Sequence, residues 1–295
     1  MNTKTAFIAI VGMPNVGKSS ILNRMLGTKV AIVSDKPQTT RTKIVGVLTK
    51  DETQFVFTDT PGFHRPRTKL GEKMVQAVDD SISGVDACML VVEPEGELRS
   101  TEEELIRRFK KSKMPVVLVI NKIDTLEKKS SLISRITELA PLYNFEAVVP
   151  VSAKNGEGFD DLEDELGKLA FESVHYFPDD TLTDQPERVL AAEMIREKIL
   201  RRLDKEIPHG TAVAIEKMHE RDNGLMDVEA TIYCEKESHK GIIIGKGGDT
   251  LKQISTYARQ EMERFFGCKV NLKCWVKVKA DWRNREGLIH NFGLD

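Results

Sequence analysis

The chain has 295 residues, 40% of them hydrophobic and 31% charged. That length suggests two domains, each large enough for its own core, and the composition excludes a disordered, collagen-like or membrane-bundle chain. The 44 Lys and Arg nearly balance the 46 Asp and Glu, but residues 240–285 carry eleven basic side chains against four acidic ones. That segment is +7 and the remainder −9, so one end of the chain alone suits a polyanion. An ordinary solvated surface has the same composition, so motifs must decide. Four cysteines without a CxxC pair and six scattered histidines argue against disulfides and structural zinc, and free thiols suit the cytosol. No apolar run approaches the ~18 residues of a membrane span, and residues 6–11 read as a buried strand rather than a signal peptide.

In chain order, short runs rich in Val and Ile occur at residues 7–11, 44–48, 55–57, 87–92, 116–120 and 147–151. Runs of this length without polar alternation fit strands buried on both faces. Helical patterns at residues 102–111, 132–139 and 159–171 lie between them. The alternation predicts an α/β domain over residues 1–175, with a mainly parallel sheet covered by helices on both faces. The polar Asp51, Glu52 and Thr53 predict one hairpin, hence one antiparallel strand. Residues 176–186, with two Pro and three Asp, read as a linker. Over residues 187–295 the order changes to a helix at 187–207, strands at 212–218 and 227–234, a glycine-rich turn, a helix at 250–265 and a strand at 270–278. Within the second of these strands Val228, Ala230, Ile232 and Cys234 should face inward. This is an α+β domain.

The first strand runs into Gly12, Met13, Pro14, Asn15, Val16, Gly17, Lys18 and Ser19, which satisfy GxxxxGK[ST], with Ser20 next in the helix that opens there. Glycines let backbone N–H groups converge on phosphate oxygens, and the helix N-terminus adds its dipole. Lys18 is expected on the β- and γ-phosphates and Ser19 on Mg²⁺. Asp59, Thr60, Pro61 and Gly62 end the third strand, where the carboxylate suits Mg²⁺ through water and the Gly62 amide suits the γ-phosphate. Asn121, Lys122, Ile123 and Asp124 end a later strand. A carboxylate at Asp124 accepts from both N1–H and the 2-amino group of guanine, which adenine cannot match. Ser152, Ala153 and Lys154 follow the next strand, where a backbone amide suits the guanine O6. Alone, NKxD or DxxG is as easily a cap or a turn; in this order, at the carboxyl ends of strands, they point to a guanine nucleotide.

The first domain therefore resembles the P-loop GTPases. The resemblance implies a loop Thr that completes the Mg²⁺ shell. Thr40 is favoured, with Thr39 as the alternate, so the implied metal set is Ser19, Thr40 and Asp59. Ras-like enzymes carry a water-orienting Gln where this chain has Phe63. No catalytic base can be named; transition-state stabilisation falls to Lys18, Thr40 and Gly62. Arg41 reads as a solvated loop charge rather than an arginine finger. Some relatives with an Asn at the position of Asn15 and no such Gln use K⁺ instead, which adds K⁺ to Mg²⁺ as an expected cofactor.

Gly245, Lys246, Gly247 and Gly248 form a GxxG turn before a helix, inside the basic block. Such a turn lets a nucleic-acid backbone approach, with Lys246 as a phosphate partner. On the last strand Lys273, Trp275 and Lys277 share the face opposite the apolar residues, which suits a polyanion with stackable bases; an amphipathic edge strand is the plainer alternative. The element order around the turn resembles a type II KH domain. One GTPase domain followed by one such domain resembles the bacterial Era GTPases over essentially the whole chain. That resemblance implies a monomeric cytoplasmic GTPase that binds GTP and GDP, and 16S rRNA near its 3′ end, while the small ribosomal subunit is assembled. Peripheral association with the inner membrane is also reported in the family, though nothing basic and amphipathic enough for anchoring occurs here. The alternative is a signalling GTPase whose C-terminal domain binds a protein.

Overall fold

The computed structural model describes residues 3–63 and 66–294. The chain divides into two compact units. One comprises Met1–Ala31, Thr40–Pro66 and Met74–Asp184, and the other Ile32–Thr39, Arg67–Lys73 and Gln185–Asp295.

The first unit is the expected α/β layer structure. Its elements run β1 (Lys4–Gly12), α1 (Lys18–Leu26), β2 (Ile44–Lys50), β3 (Thr53–Asp59), α2 (Lys69–Ser83, whose first turn to Lys73 is counted with the other unit), β4 (Ala87–Val92), α3 (Ser100–Ser112), β5 (Val116–Ile120), α4 (Lys129–Leu139), β6 (Ala147–Pro150), α5 (Phe159–Gly167) and β7 (Phe171–Glu172). The sheet order is β2-β3-β1-β4-β5-β6, with β7 pairing β1. Only β2 and β7 run antiparallel, and the β2–β3 hairpin matches the one expected. Every residue of β4 and β5 is buried, as a strand covered on both sides requires. Ala9 and Val11 meet Val78, Ile82, Leu105, Phe109 and Leu139 of α2, α3 and α4. Ile8 and Ile10, of opposite parity, are fully buried as well, so both faces of the sheet are covered.

The helix expected over residues 159–171 stops at Gly167, and Phe171–Glu172 becomes β7. Pairing with β1 outweighs the helical pattern of those two residues. The chain then runs back along the sheet: Ser173 N donates to Thr3 O (3.0 Å), Val47 N to Leu182 O (2.9 Å) and Thr183 Oγ1 to Val45 O (2.5 Å). Gln54, fully buried in β3, pins this return. Its Oε1 accepts Tyr176 N and Phe177 N (2.8 and 3.0 Å), and its Nε2 donates to Phe177 O (2.9 Å) and Thr49 Oγ1 (3.0 Å).

The second unit contains α6 (Glu187–Arg202), β8 (Ala212–Glu220), β9 (Leu225–Cys234), α7 (Glu237–Ile244), α8 (Asp249–Phe266), β10 (Lys269–Val278) and α9 (Glu286–Asn291). The sheet order is β10-β9-β8; β10 is parallel and β8 antiparallel to β9. Val228, Ala230, Ile232 and Cys234 face inward as expected and are fully buried against Ile195, Ile199, Ile243, Ala258 and Met262. The helix expected over residues 187–207 ends at Arg202. Helix α7 was not anticipated, because its apolar run Ile242, Ile243 and Ile244 shows no 3.6-residue period. Trp282 is fully buried and donates Nε1–H to Gly210 O at 2.9 Å.

Among the described residues of this unit two charged side chains are buried and both are paired, as burial demands. Arg196 donates to Glu193 and to the carbonyls of Thr39 and Gln38. Glu197 accepts Val33 N at 3.0 Å and pairs with Lys198 and Arg201.

The Gln54 bonds give a direct test. Gln54→Leu keeps most of the volume and removes four hydrogen bonds, for an expected loss of about 2–4 kcal/mol in stability. Equilibrium denaturation of the full chain reads it; an unchanged midpoint would mean the return strand is held by something else.

Candidate nucleotide site and nucleic-acid face

The nucleotide motifs lie where β1, β3, β5 and β6 end, on one rim of the sheet. The loop from Gly12 to Gly17 turns back to start α1. Gly17 sits at φ 99°, and a Cβ there would lie 2.1 Å from Asn121 Nδ2, so only glycine fits the turn. Gly62 passes as closely: a Cβ would meet Pro14 Cα at 2.6 Å. Phe63 N donates to Gly12 O at 3.0 Å and ties the two loops together.

Three oxygens converge beside the start of α1. Ser19 Oγ donates to Asp59 Oδ2 at 2.5 Å and lies 3.0 Å from Thr40 Oγ1, which is 3.4 Å from Asp59 Oδ2. Thr39, by contrast, donates its hydroxyl to Lys36 O at 2.6 Å. Asp59 is fully buried and its Oδ1 accepts no hydrogen bond. Burial pushes its carboxyl up to about 6, opposed by Lys18 and the two hydroxyls. Burial also lowers Lys18 to about 8, opposed by Asp59. Lys18 Nζ donates to Met13 O (2.8 Å) and Gly12 O (3.2 Å). A buried carboxylate oxygen without a donor, next to two hydroxyls, is a hard oxygen set suited to Mg²⁺. Thr60 Oγ1 is fixed to Ile10 O at 2.8 Å.

The second cluster forms around Asn121, which is 2% exposed. Its Nδ2 donates to Val16 O (2.9 Å) and its Oδ1 accepts Ala153 N (3.1 Å). Asn121 thus joins all three loops and is itself a brace. Ser152 Oγ donates to Asp124 Oδ1 at 2.6 Å, which holds that carboxyl below its usual range, and Lys154 Nζ lies 3.7 Å from Oδ2. Lys122 pairs with Glu93 at 2.6 Å. Arg24, which no motif marks, donates to Ala153 O (3.2 Å) and Lys154 O (2.7 Å). Its only signal is position, one helical face along from Ser20, and that face becomes meaningful only once β6 is in place.

Two further sequence positions differ from or refine the expectation. Arg41 is 3% exposed, not a solvated loop charge. Its guanidinium is weakly hydrated and is buried at less cost than an ammonium. Phe63 is buried in the core against Val78 and Leu105, with Arg108 4.6 Å above its ring.

In the second unit, α7 ends at Ile244, capped by Gly245, and α8 starts at Asp249. Gly245, Gly247 and Gly248 have φ of 76°, 61° and 83°. A Cβ on Gly245 would lie 2.2 Å from Thr250 Oγ1. Lys246 and Gly247 are exposed. On β10 Lys273, Trp275 and Lys277 are exposed on the face opposite Val270 and Val276, with Trp275 at 45%.

The first unit is a P-loop GTPase domain and the second a KH domain. Two family models agree, one described as 50S ribosome-binding GTPase over residues 7–122, the other as KH domain over residues 206–283. GTPase Era of Clostridioides difficile is 49% identical, covering 99% of each chain. A crystal structure of an Aquifex aeolicus Era variant bound to GDP·AlF4⁻ matches with a TM-score of 0.95 at 38% identity, covering 99% of both chains. An Era structure in complex with MgGDPNP and nucleotides 1506–1542 of 16S ribosomal RNA matches equally well, with the same TM-score, identity and coverage. The chain belongs to the Era family of GTPases. Among the described residues no helix is long and apolar enough to cross a membrane.

Proposed function

We propose that this GTPase serves assembly of the small ribosomal subunit, binding 16S rRNA near its 3′ end through the KH unit and hydrolysing GTP in the other. The observation that carries this reading is one chain holding both a braced guanine-type nucleotide site and an exposed GxxG turn that opens α8 within the basic segment. A relative matched over 99% of this chain holds both kinds of ligand at once. In this reading the GTPase domain runs over residues 1–175 and the RNA-binding domain over residues 187–295, joined by residues 176–186. Of these, Tyr176, Phe177, Leu182 and Thr183 are hydrogen-bonded along the first sheet. The protein works as a cytoplasmic monomer whose approach to any membrane is peripheral.

Each site residue then has a physical task. Backbone amides from Gly12 to Ser20, Pro14 excepted, surround the phosphates, and Lys18 exchanges its loop carbonyls for β- and γ-phosphate oxygens. Phosphate charge restores the ammonium that burial weakens. Ser19, Thr40 and Asp59 would hold Mg²⁺, which would neutralise charge on the transferring phosphoryl group. The Gly62 amide and Thr40 respond to the γ-phosphate, and Thr60 and Pro61 shape that loop. Phe63, buried, leaves water orientation to backbone and bound ions. Asp124 reads the guanine edge, oriented by Ser152, while Asn121, Ala153 and Lys154 wall the base and Lys122 covers it. On the KH unit, Gly245 to Gly248 admit a phosphate backbone, and Lys273, Trp275 and Lys277 add charge and a stacking ring.

Asp124→Asn replaces an acceptor with a donor opposite the guanine 2-amino group. GTP affinity should fall by several kcal/mol, with xanthosine triphosphate partly restoring binding; an unchanged GTP titration would remove Asp124 from base recognition.

Asn15 is exposed in the loop at φ 66°, which supports its side-chain carbonyl as a ligand for a monovalent cation beside the phosphates. Hydrolysis should run faster in K⁺ than in Na⁺, and Asn15→Ala should erase the difference. Equal rates for the unaltered protein in both salts would end the K⁺ reading.

Gly247 has nothing within 4 Å of a Cβ position, and its φ of 61° is one Asp tolerates. Gly247→Asp should therefore fold, keep GTP binding, and lose RNA affinity about tenfold or more by charge repulsion. Full RNA affinity in that variant, with a salt-insensitive protein partner recovered instead, would favour a signalling GTPase.

A further inference from the structure

Away from the GxxG turn, α6 and α8 enclose a groove of about 440 Å³. Lys198, Arg201, Arg202 and Arg264 line it against a single carboxylate, Glu261, which Lys198 already engages. Arg201 is committed to Glu197. Arg202 and Arg264 are exposed and enter no ion pair among the described residues. Tyr257, also in the lining, is 57% exposed. A large exposed ring flanked by uncommitted guanidinium groups is unusual on a face that only needs solvation; it is the combination that binds single-stranded nucleic acid, with a base stacked on the ring and phosphates on the arginines. Gln253 and Gln260 complete the lining with amides able to pair with base edges.

The groove is also placed to continue a strand that starts at the turn. Asp249, the first residue of α8, accepts Gln253 Nε2 at 2.6 Å. Gln253, Tyr257, Gln260 and Arg264 then recur at three- and four-residue spacing along one face of α8. From Gln253 to Arg264 that face runs roughly 16 Å. A stacked strand advances about 3.4 Å per nucleotide, so the face spans four or five nucleotides.

We propose that the α6–α8 groove is a second RNA subsite, which takes the single-stranded nucleotides flanking those held at the GxxG turn, with a base on Tyr257 and phosphates on Arg202 and Arg264. The subsite rests on the reading of the KH unit as an RNA binder and deepens it: affinity depends on RNA length, and the additional nucleotides act through α6 and α8 rather than through the turn.

The test uses the full chain and two labelled single-stranded RNAs, one of about five nucleotides, near the four that a GxxG turn clamps, and one of about ten that contains it. Arg202→Glu/Arg264→Glu should weaken the longer RNA at least tenfold and leave the shorter one unchanged, with a shallower salt dependence for the longer RNA. Tyr257→Ala should cost the longer RNA roughly tenfold, and Tyr257→Phe, which keeps the stacking face, should restore it. All three positions are exposed, and an unchanged melting temperature and GTP affinity verify that the variants are folded. Equal affinity of the longer RNA for variant and unaltered protein overturns the subsite while leaving the GxxG reading intact. Failure of the unaltered protein to bind either RNA overturns both. Loss of both RNAs in Gly247→Asp, beside loss of only the longer one in the arginine variant, supports the two-part assignment.

Discussion

The carboxylate of Asp59 is the constraint around which the first unit is organised. It is fully buried at the end of β3, with Oδ1 lacking a donor and Oδ2 shared by two hydroxyls. Removing a charge from water is costly, and the rise of this carboxyl to about 6 reflects that cost. The geometry offers three remedies: the Lys18 ammonium, the hydroxyls of Ser19 and Thr40, and a hard cation. Lys18 and Ser19 come from the start of α1 and Thr40 follows the loop Ile32–Thr39, so these two segments and the end of β3 are drawn to one point. Ligand binding and loop order are thereby the same electrostatic problem.

The guanine end solves a different problem, shape rather than charge. Asn121 spends both halves of its amide on backbone groups, Val16 O and Ala153 N. It cannot turn without breaking two buried bonds, so the loops after β1, β5 and β6 are fixed as one surface. Ser152 then sets the direction of Asp124, and Arg24 ties down the carbonyls of Ala153 and Lys154 from α1. In the proposed reading, selectivity between purines depends on an acceptor left unmatched once a base covers it being expensive, and that penalty needs a carboxylate that cannot swing away, which the Ser152 bond supplies.

Among its described residues the second unit has one three-stranded sheet, and one face of it supplies the core. Helices α6, α7 and α8 cover that face through Ile195, Ile199, Ile243, Ala258 and Met262, while the other face is covered only in part, by Phe292 over Tyr233. Positive charge collects on outward positions because the core has no use for it: β10 alternates Val270 and Val276 inward with Lys273 and Lys277 outward. Glycines at positive φ then let a short connection reverse direction between α7 and α8 without side chains in the way.

The strands buried on both sides were legible in the chain, since β4 and β5 are short, all-apolar runs rich in Val and set between helical patterns, and so were the nucleotide motifs, whose chemistry depends on residues adjacent in the chain. The sequence also marked the GxxG turn and the inward residues of β9, where local spacing and side-chain type suffice. Helix α7 and the stop of α5 at Gly167 were decided only in three dimensions, because eight residues without a period, and two residues of strand, take their conformation from what they pack against. The burial of Arg41, the four bonds of Gln54 and the bracing by Arg24 belong to the same class. A buried polar side chain is stable only where its partners are, and those partners come from far along the chain, 164 residues away for Glu197, a distance over which no local pattern carries information.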